Sequence, residues 1–350
     1  MKKLLALLLC AVLCLSLAAC ASNTATTTTE TTETTVEPAA EETASSDASA
    51  ETAQPAADAQ QYVVGICQLV QHDALDAATN GFMDALNEAL PGQVTFDLKN
   101  ASNDIPTCGT IVTGFVASNV DLILANATPA LQAASTATQT IPILGTAVTE
   151  YGVALDIKDF NGTVGGNISG TSDLAPLDQQ ADMLLELLPE AQNVGILYCS
   201  AEANSVYQAD VVKAALEEKG VTVTVYTFAD SNDVATVTQT ACAENDALYI
   251  PTDNTAASCT EAINNVAEPA GVPIVAGEEG ICKGCGIATL SIDYYELGKT
   301  TGAMAAKILT GEANVSEMPI EYYQNPVKKY DVARCEALGI TVPADYVAIG

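Results

Sequence analysis

Cys282-Lys283-Gly284-Cys285 is the spacing in this sequence that most suggests chemistry, because two cysteines three apart can form a disulfide, exchange electrons or hold a metal. A structural zinc site would need a second close pair or a nearby histidine. His72 is the only histidine in the sequence, so the pair reads as a local disulfide or as free thiols, and no metal is expected. Gly298-Lys299-Thr300 has the ending of a phosphate-binding loop, yet that motif requires glycine where Asp293 stands. Gly284 and Gly286 are too few for a dinucleotide fingerprint, so no cofactor is expected either. No Gly-x-Ser-x-Gly elbow occurs, and the lone histidine follows the first predicted strand, which leaves a hydrolase triad without support. The remaining polar residues of interest stand where strands should end, which points to binding and away from an enzyme.

Those residues need a scaffold, and the hydropathy pattern supplies one. From Tyr62 onward short β-rich runs alternate with helical patterns, as in a parallel sheet with crossover helices. The spacing predicts strands at 63–69, 94–98, 122–125 and 141–146. Leu75, Ala78, Phe82, Ala85, Leu86 and Ala89 recur at helical spacing up to Pro91-Gly92, where a helix must stop. Ile111, Phe115 and Ser118 mark a further helix, and Pro129 opens another at a position where its missing N–H costs nothing. A glycine-rich stretch at 161–170 breaks the rhythm. The alternation then restarts with helix 177–188, strand 194–199, helix 205–219, strands 221–228 and 247–250, a helix around 257–267, and strands 273–276 and 287–292.

Two runs of one unit predict an α/β protein of two Rossmann-like lobes with parallel sheets. Leu297, Thr301, Met304 and Ile308 line a helical face that ends at Gly311 and is long enough to return to the first lobe. The expectation is a three-crossing hinge near 165–170, 290–293 and 320–324. The first lobe would then hold 61–167 with 293–321, and the second 168–292 with 322–350. Ligands of open α/β sheets bind beyond the carboxyl ends of the strands, so the cleft between lobes is the expected site.

The amino-terminal part reads differently. Lys2 and Lys3 precede an apolar stretch at 4–17, too short to span a bilayer and closed by small residues, so residues 1–19 read as an export signal. Leu17-Ala18-Ala19-Cys20 resembles a bacterial lipobox, in which Cys20 would carry the lipid that anchors the protein outside the cytoplasm. Residues 20–60, rich in Thr, Glu and Ala, cannot bury enough apolar surface to offset their ordering entropy and read as a disordered tether. The charge of −32 argues against nucleic acid and against anionic lipid as partners, leaving the lipid anchor as the link to the membrane. A monomer is expected.

At its strand ends the chain resembles the ABC-type substrate-binding family that includes the tryptophan- and tyrosine-binding lipoproteins, a branch of the type I periplasmic-binding-protein fold. The motifs that carry the resemblance begin with Gly65-Ile66-Cys67-Gln68-Leu69-Val70-Gln71-His72-Asp73, Ala125-Asn126-Ala127-Thr128-Pro129 and Gly145-Thr146-Ala147-Val148-Thr149. They continue with Gly170-Thr171-Ser172-Asp173, Glu202-Ala203-Asn204-Ser205, Tyr249-Ile250-Pro251-Thr252-Asp253-Asn254 and Ile292-Asp293-Tyr294-Tyr295-Glu296. The chain departs from the family pattern at Asp73, where a proline is usual, and at Glu150-Tyr151, where an Asp-Pro pair is usual.

The resemblance implies uptake of an aromatic or other amino acid, with an ABC permease and its ATPase as partners. The same fold also serves sensory receptors and carriers of nucleosides or sugars. An amino acid's carboxylate suits Thr128 at a helix start and the turn at Thr146 and Ala147. Its ammonium needs a carboxylate, for which Asp253 or Asp293 stands at a strand end, and each could equally cap the helix that follows. Asp173, Asn204 and Asn254 lie on facing loops, while Gln68 and His72 could meet the solute's side chain. Tyr151, Tyr207 and Tyr294 are the candidates for stacking on a ring, since the chain has no tryptophan.

Overall fold

The computed structural model describes residues 60–349. The expected signal at 1–19, Cys20 and the tether up to residue 59 lie outside the described residues. Among the described residues no helix is long and apolar enough to cross a membrane.

The chain alternates strand and helix from its first element. It runs β1 Tyr62–Gln68, α1 Asp73–Ala89, β2 Val94–Asn100, α2 Ile105–Ala117, β3 Leu122–Asn126, α3 Thr128–Ala137, β4 Ile143–Val148, α4 Tyr151–Ala154 and β5 Ile168–Ser172. The second series is α5 Leu177–Leu187, β6 Asn193–Cys199, α6 Ala203–Glu218, β7 Thr222–Phe228, α7 Val234–Glu244, β8 Ala247–Ile250, α8 Asn254–Ser258, α9 Thr260–Ala270, β9 Ile274–Ala276, α10 Glu279–Cys285 and β10 Ala288–Ser291. Last come α11 Tyr294–Leu309, β11 Glu321–Tyr322, β12 Val327–Tyr330, α12 Val332–Leu338 and β13 Val347–Ala348.

Two sheets result, ordered β11-β5-β4-β3-β1-β2 and β13-β12-β10-β9-β8-β6-β7. Each contains the same parallel order, β2-β1-β3-β4-β5 in the first and β7-β6-β8-β9-β10 in the second. The ladder between β10 and β12 is antiparallel, and β13 lies parallel to β12. Parallel strands are covered on both faces, which is why β3 and β8 are buried along their whole length. In the first lobe Val64, Ile66, Leu122 and Leu124 face α1 and α11, while Cys67, Ile123 and Ala125 face α2 and α3. In the second, Ile196, Tyr249 and Val275 face α5 and α6, while Leu248, Ile250 and Ile274 face α7 and α9.

The chain leaves the first sheet after Ser172, returns to it between Ser291 and Tyr294, and leaves it again after Tyr322. The first crossing falls after Ser172 and not within 165–170. Residues 168–172, expected in the second lobe, form β5, which pairs with β4 and β11 of the first sheet. After Ile168 the strand is made of small and polar residues, and its hydroxyls find specific partners. Ser169 Oγ donates to the Met318 carbonyl at 3.0 Å, Ser172 Oγ to the Thr149 carbonyl at 2.7 Å, and Thr171 Oγ1 meets Thr301 Oγ1 at 2.8 Å. Gly170, at φ +145°, lies against the Gly145 backbone, where a Cβ would collide.

Helix α11 carries the chain back and locks onto α1. A Cβ at Gly298 would collide with the Ala78 carbonyl, and one at Gly81 with the Tyr295 carbonyl, so the helices meet backbone to backbone. This contact absorbs Gly298-Lys299-Thr300, whose Lys299 is half-buried and pairs with Glu296 at 2.9 Å. Cys282 and Cys285 sit within α10 as buried free thiols, as do five of the remaining six described cysteines, with Cys259 half-buried. Burial pushes the Cys285 thiol up to about 12, so neither sulfur is poised as a thiolate.

Candidate functional site

Three loops of each lobe meet at the carboxyl ends of their strands. After β1 comes His72, after β4 the turn Ala147 to Thr149, and after β5 Asp173. From the second lobe come Asn204 after β6, Thr252 to Asn254 after β8, and Glu278 after β9. With Ala74, Leu75, Ala257 and Tyr294 these residues line one cavity between the lobes. Its space is about 10 Å³, room for roughly one water molecule. A recess of about 360 Å³, which shares His72, adjoins it on the outside. A larger recess of about 640 Å³ lies between α9 and α12, where β9 and β10 begin. Its Arg334 is spent on the Gly284 and Lys283 carbonyls at 2.8 and 3.1 Å and on Asp331 at 2.9 Å.

The first lobe holds its turns by backbone devices. Ala127 and Ala147, at φ +90° and +51°, adopt conformations unusual for residues with a Cβ. The Ala127 N–H donates to the Thr146 carbonyl at 3.0 Å, which ties the two strand-end turns together. Strain of this kind concentrates at binding sites, where the surrounding structure enforces it.

Five buried side-chain polar atoms among the described residues lack a partner, and three of them line this cavity: Asp173 Oδ1, Asn204 Oδ1 and His72 Nδ1. Buried polar atoms are almost always paired, so three orphans at one place make this cavity the candidate site. All three are acceptors. Asp173 receives the Tyr294 hydroxyl at 3.0 Å on its other oxygen, and burial raises its carboxyl above the ordinary range. The Asn204 amide nitrogen donates to the Thr252 carbonyl at 3.1 Å, which leaves the oxygen facing inward. Asn254 donates its amide to Glu202 at 2.6 Å and turns Oδ1 towards His72 Nε2 at 3.2 Å. That network assigns the hydrogen to Nε2 and leaves Nδ1 as a bare lone pair. Burial lowers the histidine's affinity for a second proton.

The predicted residues divide accordingly. Asp173, Asn204, His72, Asn254, Ala147 and Asp253 line the cavity. Asp253 spends its carboxylate on the Ala256 and Cys199 amides, both at 2.7 Å, as the cap of α8. Asp293 is exposed, caps α11 through the Glu296 amide at 3.0 Å, and lines a separate recess. Gln68 is satisfied inside the first lobe by the Val70 carbonyl at 2.9 Å, Asp76 at 2.6 Å and Thr79 at 2.7 Å. Thr146 receives the Thr171 and Thr301 hydroxyls at 3.3 and 3.1 Å, away from the cavity. Thr128 is buried at the start of α3, outside the lining. Tyr151 is buried in the first lobe and donates to the Thr171 carbonyl at 3.0 Å, so of the three tyrosines only Tyr294 reaches the cavity.

Glu278 escaped the sequence reading. It caps α10 through the Gly280 amide at 2.6 Å and the Ile281 amide. A Gly-Glu-Glu-Gly run looks like a solvated turn; its place after a buried three-residue strand was the available signal.

Asp173, Asp253 and Glu278 therefore ring the cavity with carboxyls, and no lysine or arginine lines it. Burial and the neighbouring Glu202 push Asp253 up to about 7, and burial with Asp73 and Glu279 nearby pushes Glu278 up to about 7. A carboxyl raised in this way binds its proton more tightly in the folded than in the unfolded chain. Its stabilisation is complete below the unfolded value of about 4 and is lost as pH climbs through the folded value. His72 acts in the opposite sense, but only below its ordinary value of about 6.5. The ligand-free protein should therefore melt at a lower temperature at pH 8 than at pH 6.5. Glu278→Gln, which still accepts from the Gly280 amide, should narrow the difference. A melting temperature that is flat or rises over this interval would refute the assignment.

Residues 63–347 match the family described as ABC transporter substrate binding protein. The chain is 36% identical over 264 residues to a tyrosine-binding protein of Clostridioides difficile strain R20291, covering 75% of this chain and 76% of that one. It is 30% identical, with a TM-score of 0.78, to the crystal structure of an ABC domain from Streptococcus pneumoniae in complex with L-Trp, covering 81% and 97%. It is 35% identical, with a TM-score of 0.63, to the ligand-free, open structure of a Clostridium difficile substrate-binding protein with adhesive properties, covering 82% and 99%.

Proposed function

Because the chain belongs to the ABC transporter substrate-binding protein family, we propose that it is the lipid-anchored, extracytoplasmic receptor of an importer and closes on an aromatic L-amino acid. The observation that carries this reading is the convergence of three unpaired acceptors, Asp173 Oδ1, Asn204 Oδ1 and His72 Nδ1, on one cavity. An ammonium has three N–H bonds and a charge that the surrounding carboxyls would neutralise. A neutral sugar would leave Asp173 uncompensated in a buried site, which is costly. The solute's carboxylate falls to the turn at Ala147 to Thr149, and Leu75, Ala74, Ala257 and the Tyr294 ring supply apolar surface. The tyrosine and L-Trp in the relatives' names agree with such a solute.

A cavity with room for one water admits an amino acid only if the lobes part, so binding proceeds by opening and closure about the three crossings. Support comes from the comparisons: the chain is more like the L-Trp complex in shape, at 0.78, than the open structure, at 0.63, despite lower identity to the former. The closed receptor would then be read by a permease with its ATPase. Isothermal titration of the protein with L-tyrosine, L-tryptophan and their N-acetyl derivatives tests the proposal. The free amino acids should saturate one site and reduce the radius of gyration in small-angle scattering, and the acetylated ones, which lack an ammonium, should not bind. Equal binding of both forms, or binding of neither, refutes it.

A further inference from the structure

In this closed arrangement two side-chain hydrogen bonds cross from one lobe to the other. His72 Nε2 meets Asn254 Oδ1 at 3.2 Å, and Asn103 Nδ2 donates to Thr255 Oγ1 at 3.1 Å. Both first-lobe partners thus reach adjacent residues at the start of α8. Those two residues are held from behind by one buried carboxylate. Glu202 Oε2 accepts from the Asn254 backbone N–H at 3.1 Å and from its side-chain amide at 2.6 Å. Glu202 Oε1 accepts from the Thr255 backbone N–H and from its hydroxyl, both at 2.8 Å.

This arrangement controls polarity as well as position. A threonine hydroxyl has one proton, and giving it to Glu202 turns the lone pairs of Thr255 Oγ1 towards the Asn103 amide. A carboxylate only accepts, so Asn254 must present its nitrogen to Glu202 and its oxygen to His72. We infer that Glu202 is the positioning residue of an interlobe latch: it aims Asn254 and Thr255 at the first lobe and, through Asn254, fixes the His72 tautomer that leaves Nδ1 free for the solute. This rests on the closure reading above. Glu202 does not touch the solute; its effect reaches the cavity through the two residues it holds.

The test uses Glu202→Gln, which keeps the size but replaces one acceptor oxygen by a donating amide. Leaving a buried donor unmatched costs about 1–3 kcal/mol, so release of radiolabelled L-tyrosine should accelerate about fivefold to 150-fold while association changes little. Asn103→Gly removes the other half of the latch without strain, because Asn103 already sits at φ +62°. It should also speed release, and the double variant should be less than the product of the two, since both act through Thr255. The chain has one histidine, so ¹⁵N-histidine labelling of untagged protein reports a single ring. With L-tyrosine bound, the wild type should show hydrogen on Nε2, and Glu202→Gln should lose that preference, which a merely structural role would not alter. Unchanged tautomer and release in Glu202→Gln, or multiplicative effects in the double variant, overturn the latch while closure stands. If Glu202→Gln does not fold, Thr255→Val must itself speed release and be non-additive with Asn103→Gly, or the latch is overturned. A wild type that neither binds L-tyrosine nor contracts with it refutes the closure reading and the latch together.

Discussion

Asp173→Asn should weaken binding of an aromatic L-amino acid by about 30-fold to several thousand-fold, because truncating one member of a buried, hydrogen-bonded charge pair costs about 2–5 kcal/mol. The substitution is nearly isosteric, and Asn can still accept the Tyr294 hydroxyl that now reaches Asp173 Oδ2 at 3.0 Å. What changes is the second oxygen, the one without a partner. An amide there either presents a donor to the ammonium or offers a neutral oxygen in place of a charged one. Titration calorimetry should find the loss in affinity, with the melting temperature of the ligand-free protein kept or raised, since a costly buried carboxyl has been removed. Asp293→Asn, at an exposed helix cap outside the cavity, is the matched control and should bind normally. Equal affinity in both variants would move the ammonium elsewhere.

Gly298→Val should lower the melting temperature by about 6 °C or more, corresponding to about 3 kcal/mol. A side chain at 298 would drive into the Ala78 carbonyl on α1, and backbone of a packed helix cannot swing aside as a flexible side chain can. The damage would reach the site, because α11 begins at Tyr294, whose hydroxyl holds Asp173. Gly109 on α2 provides the contrast, since a Cβ there would meet nothing within 4 Å. Gly109→Ala should leave stability unchanged or raise it by up to about 1 kcal/mol through helix propensity. Equal melting temperatures for Gly298→Val and the wild type would mean the helices do not meet as described.

Most strands were readable in the sequence because a parallel strand buried on both faces must be a continuous apolar run, as at Leu122–Asn126 and Ala247–Ile250. Strand β5 was not, because Ile168–Ser172 satisfies its burial with hydroxyl hydrogen bonds and a bare glycine, which read as a loop. That one misreading shifted the first crossing. At the candidate site, the strand-end rule reached loops that line the cavity but could not separate Asp253 from Asp173. Both are buried aspartates after strands, and the difference lies in partners: two backbone amides occupy Asp253, while one oxygen of Asp173 is free. The bond from His72 to Asn254 spans 182 positions, a separation at which no local pattern carries information.

The hydroxyls of Thr146, Thr171 and Thr301 stitch β4, β5 and α11 into one block. Two of the three connecting segments therefore spring from the same stiff foundation, and bending at that end would break polar contacts sealed from water. The closure proposed above would then turn on a rigid base in the first lobe, and the second lobe would supply the movement.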